Sequence, residues 1–140
     1  MKQHTAFLSR RARAGLLLLL ALLLAALSAC GSHGVYAEDA GSTWFHGVCE
    51  DYSGEMSREL TVSENARISV RCSFSRKDGQ MDVRITAADG SEAYRGDGVT
   101  GGSFSVELNH PGAYTIAVQT RGFSGSFSFD WETVGAAPAP

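Results

Sequence analysis

The stretch ISVRCSFSRKDGQMDVRITA, residues 68–87, decides the fold. Ile68, Val70, Cys72 and Phe74 alternate with Ser69, Arg71, Ser73 and Ser75, and Met81, Val83, Ile85 and Ala87 alternate with Asp82, Arg84 and Thr86. A period of two sends successive side chains to opposite faces, so each half reads as a strand with one apolar and one wet face. Between the halves, Lys77-Asp78-Gly79-Gln80 places a glycine where a tight turn needs positive φ, which predicts a hairpin.

The same grammar extends in both directions. Upstream, residues 56–62 read as a strand and 44–52 as another. Downstream, Asp89-Gly90 is a turn, 92–95 a short strand and 96–102 a glycine-rich loop, after which Phe104, Val106 and Leu108 alternate with serines and Glu107. Asn109-His110-Pro111-Gly112 has Pro and Gly at the central places of a type II turn. Tyr114, Ile116 and Val118 mark the next strand and Phe127, Phe129 and Trp131 the last, with Phe123 expected at a hairpin tip between them. From Trp44 onward no segment holds helical spacing over three turns. Seven or eight short strands about ten residues apart imply an all-β fold, a single antiparallel sandwich of two packed sheets in a jelly-roll-like arrangement.

The 140 residues suffice for one such domain and an export segment. Four of the twelve basic residues and none of the fifteen acidic ones lie in the first 30 positions, so the remainder carries eight against fifteen, a net −7. A nucleic-acid partner is excluded on that balance, because polyphosphate binding needs a basic surface.

Ahead of the strands, Lys2, Arg10, Arg11 and Arg13 form a basic region, followed by an uncharged apolar run over 14–27. Fourteen residues fall short of the roughly 20 a membrane-spanning helix needs, so the run reads as the core of a signal peptide. Leu27-Ser28-Ala29-Cys30 then resembles the lipobox of bacterial lipoproteins. The resemblance implies removal of residues 1–29, acylation of Cys30 by chains of the palmitate kind, and anchoring to a bacterial cell membrane or outer membrane on the extracytoplasmic side. One acyl chain binds a membrane only marginally, whereas two or three hold it stably. In a two-membrane bacterium, the absence of an acid at Gly31, after the lipidated position, would permit transfer to the outer membrane. The small and polar residues 30–43 read as the lipidated terminus and a flexible tether with a reach on the order of 20 Å. The sandwich is expected over 44–132, and an Ala/Pro-rich disordered tail over 133–140.

The C-terminal half, with GSFSV at 102–106, PGAYTIAV at 111–118 and GSFSFDW at 125–131, resembles the bacterial pre-peptidase C-terminal domain and related jelly-roll-like sandwiches. That resemblance implies a non-catalytic accessory or binding module. It carries over no active site.

Cys49 and Cys72 remain once Cys30 is assigned to lipid. In an exported chain a disulfide is the default, closing a loop of about 24 residues worth roughly 3 kcal/mol; two buried thiols are the alternative. His46 stands three residues before Cys49, an odd separation that would turn the two side chains to opposite faces and argues against a Cys–His nucleophile or a zinc site. No catalytic residues are expected. A calcium site is the one cofactor the acids suggest, from Asp89, Asp97 and neighbouring carbonyls, against the plainer reading of solvated turn acids. Trp44, Phe45, Tyr52, Tyr94 and Phe123 are either core filling or a recognition patch for an envelope protein or a glycan. Ser103, Ser105, Ser126 and Ser128 alternate outward as solvent-facing positions.

Overall fold

A computed structural model describes residues 34–136. The leader, Cys30 and positions 137–140 lie outside them, as do the expectations that fall there. Six strands follow in chain order: β1 (Val35–Ala40), β2 (Trp44–Val62), β3 (Ala66–Ala87), β4 (Glu92–Gly96), β5 (Gly101–Leu108) and β6 (Gly112–Ala136). All pairings are antiparallel, in the order β1-β2-β6-β3-β4, with β5 on β3.

The sandwich is one sheet folded over on itself. β2, β3 and β6 are 19, 22 and 25 residues long, far beyond a usual strand, and their pairings shift register near the middle. The breaks fall between Cys49 and Gly54 on β2 and between Arg76 and Gln80 on β3, opposite residues 120–125 of β6. Asp51, Gly79 and Gly122 take positive φ there. Bulges bend a strand and raise its twist, so three adjacent bulges crease the sheet along one line. On one side of the crease lie β1, the first part of β2, the last part of β6, the first part of β3, and β5. On the other lie the rest of β2, β6 and β3, with β4.

Between the two leaves sits a single core. Phe45, Cys49, Val70, Cys72, Phe74, Phe127 and Phe129 come from the five-stranded leaf, and Met56, Leu60, Met81, Val83, Ile85, Ile116 and Val118 from the four-stranded one. Phe45 packs edge-on to Phe127, with ring centroids 5.2 Å apart, and Phe74 edge-on to Phe129 at 5.6 Å. Gly47 makes room for this cluster, since a Cβ there would overlap the Phe127 ring.

The eight expected segments all exist as strand, but the expected breaks within β2, β3 and β6 do not, and neither does the tether over 35–40. Asp78-Gly79 is a bulge rather than a hairpin, because β3 continues past it beside the same partner, β6. The 121–125 segment is likewise a bend inside β6, and Phe123 points into the core with no exposed surface. Residues 35–40 are no tether but the edge strand β1, paired residue for residue with 45–50 of β2. At the other end β6 runs to Ala136, so the domain extends beyond 132.

Candidate functional site

The outward face of the five-stranded leaf carries the least expected chemistry. Its register sets Trp44, Asp130, Arg71 and Ser105 side by side on four adjacent strands. The next row is His46, Ser128, Ser73 and Ser103, and the one beyond it Val48, Ser126, Ser75 and Gly101. Strands about 4.8 Å apart and same-face residues about 6.7 Å apart turn these serines into a lattice of small hydroxyls. Ser73 and Ser103 share a hydrogen bond at 2.9 Å.

Larger groups rise from this lattice at one end. His46 Nε2 lies 2.9 Å from Asp130 Oδ1, across the β2–β6 pairing. Asp130 bonds His46 and forms no ion pair with Arg71, its neighbour on β3. Arg71 makes no hydrogen bond or ion pair among the described residues, and its exposed guanidinium borders a cavity of about 150 Å³ with Thr43, Ser69, Ser105, Asp130 and Glu132. Trp44 is 37% exposed, its indole resting on Gly41, so close that a Cβ there would strike the ring. An aromatic plate, a free fork of donors, a carboxylate and a field of hydroxyls suit recognition of a polar ligand lying flat on a sheet.

The residues singled out from the sequence separate accordingly. Trp44 belongs to this face. Phe45 and Phe123 do not: both are fully buried, Phe45 because it has the opposite parity to Trp44. Tyr94 is half-buried at the β4–β5 margin, where its ring meets Phe104 at 4.9 Å. Tyr52 stacks on Tyr36 at 5.0 Å beside the crease. Arg71 and Asp130 were not picked out from the sequence, yet the alternation of Val70 and Cys72, and of Phe129 and Trp131, had already turned them outward.

Cys49 and Cys72 are free thiols, and the expected disulfide is absent. Both lie in the core, but on the two strands that flank β6: Cys49 is opposite Gly125 and Cys72 opposite Phe129. Two strand spacings and a four-residue offset put their Cα atoms well over 10 Å apart, beyond the roughly 7 Å a bridge can span. Burial raises both thiols, Cys72 to about 12. His46 faces outward while Cys49 faces the core, as their odd separation implied.

Asp89 and Asp97 do not come together. They stand at opposite ends of β4, each already engaged. Asp89 accepts hydrogen bonds from the Ser91 hydroxyl and amide, which hold its carboxyl below the usual range. Asp97 is held low by Arg95 and Arg84, at 3.1 and 2.9 Å. Among the described residues no group of three His, Cys, Asp or Glu is placed to hold a metal ion.

No protein-family model matches the sequence, and no curated protein matches it. Solved structures do show similarity. The pre-peptidase C-terminal domain of a collagenase from Bacillus anthracis is 12% identical, with 71% of this chain and 87% of that one covered and a TM-score of 0.44. The carbohydrate-binding module CBM6cm-2 of lichenase 5A from Cellvibrio mixtus, solved with cellotriose, is 10% identical over 78% and 89%, at 0.37. The xylan-binding domain CBM22-1 of Xyn10C from Paenibacillus barcinonensis is 7% identical over 79% and 85%, at 0.35. All are β-sandwich folds, and likeness of this size adds nothing to what the strand topology establishes: an all-β antiparallel sandwich.

Proposed function

We propose that the chain is an exported lipoprotein, anchored outside the cell through acylated Cys30, whose sandwich is a non-catalytic module binding a component of the cell envelope. One observation carries the binding reading: on the outer face of the five-stranded leaf, Trp44 and the unpaired Arg71 flank Asp130 at the edge of a serine lattice. A face that only needed to stay wet and unpaired would gain from scattered Lys and Glu, which guard sheets against adventitious contact. Small hydroxyls leave it flat and accessible instead. Its leading occupant is an envelope protein. The test is retention of a partner from envelope extract by the purified chain: Trp44→Ala and Arg71→Ala should each abolish retention, and retention that survives both would defeat this assignment.

A glycan is the second reading. It is favoured by Trp44, which offers an indole face beside hydroxyl and guanidinium donors, a combination that matches the apolar face and polar rim of a sugar ring. Trp44 fluorescence should then shift with some member of a glycan panel, and a silent panel argues against it.

A further inference from the structure

We infer that the outer margin of β1 and β2, centred on Val35 and Val48, is apposed to the headgroup level of the membrane in which the chain is anchored. The inference rests on the lipoprotein reading of Cys30 and adds to it an orientation. Because β1 begins at Val35, only residues 31–34 separate the acylated position from the folded sheet. Five peptide steps span at most roughly 17 Å when fully extended. The polar zone of one leaflet takes roughly 5–7 Å of that, so β1 stays within about one sheet thickness of the bilayer surface.

A second observation does not depend on the connector. Val35 and Val48, 68% and 61% exposed, are the two most exposed large hydrophobic side chains among the described residues. They are diagonal neighbours on one face, with Ala37 opposite Val48. Exposed apolar side chains usually occur singly, whereas a pair beside the anchor matches an apolar–polar boundary. Glu50, opposite Val35, together with Asp39 and Asp51, sets the depth: these carboxylates keep the margin among headgroups and out of the hydrocarbon. Val48 and the serine lattice share this face, Ser126 standing beside Val48, so contact at the β1–β2 margin leaves open only the rows farther in, toward β3 and β5.

The test uses the full chain in the membranes of cells expressing it, with a benzophenone side chain introduced at position 35 or, separately, at 48, and a control at exposed position 93 on β4. After irradiation, lipid adducts are expected from 35 and 48 and not from 93, in samples where mass spectrometry finds Cys30 acylated. Acylated protein giving no lipid adducts at 35 and 48, equal adducts at 93, or cross-links to a second copy or another protein instead overturns the orientation while leaving the anchor intact. An unmodified Cys30 overturns the anchor, and the orientation with it.

Discussion

The Phe127 ring lies across Gly47 on the neighbouring strand, filling the space a side chain there would need. Phe127 in turn contacts Phe45 and Phe129, so the glycine supports the aromatic centre of the core. Gly47→Ala should therefore act as an overpacking change despite adding only one methyl group. Such changes cost about 1–3 kcal/mol. Chemical denaturation should show a lower midpoint with an unchanged slope, whereas Ser126→Ala, outward on β6, should stay within about 0.5 kcal/mol of the parent.

The separation of Cys49 from Cys72 makes a second expectation direct. A thiol reagent should count both only after unfolding, and a reductant should leave the melting temperature where it is. A fall in melting temperature on reduction would mean that the two strands are bridged.

Burial of Cys72 also has a pH signature. Above the ordinary thiol value of 9.0 the unfolded chain releases the proton while the folded chain holds it until about 12. The folded state then binds more protons than the unfolded one, so stability is full below pH 9 and falls as pH rises toward 12. For one group the slope approaches about 1.4 kcal/mol per pH unit. Because Tyr, Lys and Arg titrate nearby, the measurement is the difference between parent and Cys72→Ala, whose unfolding free energy should decline less steeply across this window.

At the crease, Gly79 has φ +75°, and a Cβ added to it would run into the Gly122 carbonyl across the β3–β6 pair. Gly79→Val combines left-handed strain with that collision. Strain alone costs roughly 1–2 kcal/mol for an L-residue. The variant should unfold at lower denaturant, while Asn65, already at φ 60° in the β2–β3 turn, should gain stability on replacement by glycine.

This crease marks where reading by alternation stops. Residues 68–75 and 81–87 declare their strands because the period of two is local. Asp78-Gly79 satisfies the local chemistry of a hairpin and of a bulge equally, and what separates them is whether β6 carries on alongside, which is information held in residues 121–125. Phe123 was misplaced for the same reason. The strand β1 was hidden differently: only Tyr36 and Ala40 pack against the core, so its place comes from the open edge of β2 and not from its own pattern. The hydroxyl face was half visible, with Ser103, Ser105, Ser126 and Ser128 turned outward by parity. Assembling them with Trp44, Arg71 and Asp130 required the register.

The flatness of that face gives the sharpest test of the binding site. Ser128 and Ser73 are paired at the centre of the lattice, flanked by His46 and Ser103. A long charged side chain at Ser128 would stand above its neighbours without disturbing the core, since the position points away from Phe127 and Phe129. Ser128→Arg should therefore keep the parent stability within about 0.5 kcal/mol, as surface changes away from special features do. It should nonetheless eliminate whatever the Trp44 and Arg71 variants lose, because a flat ligand cannot close over a raised guanidinium. Thr115→Arg puts the same side chain on the outer face of the four-stranded leaf, where binding should be untouched. If the two variants bind alike, the ligand does not use the serine lattice; if only Ser128→Arg fails, the outer face of the five-stranded leaf is the surface it covers.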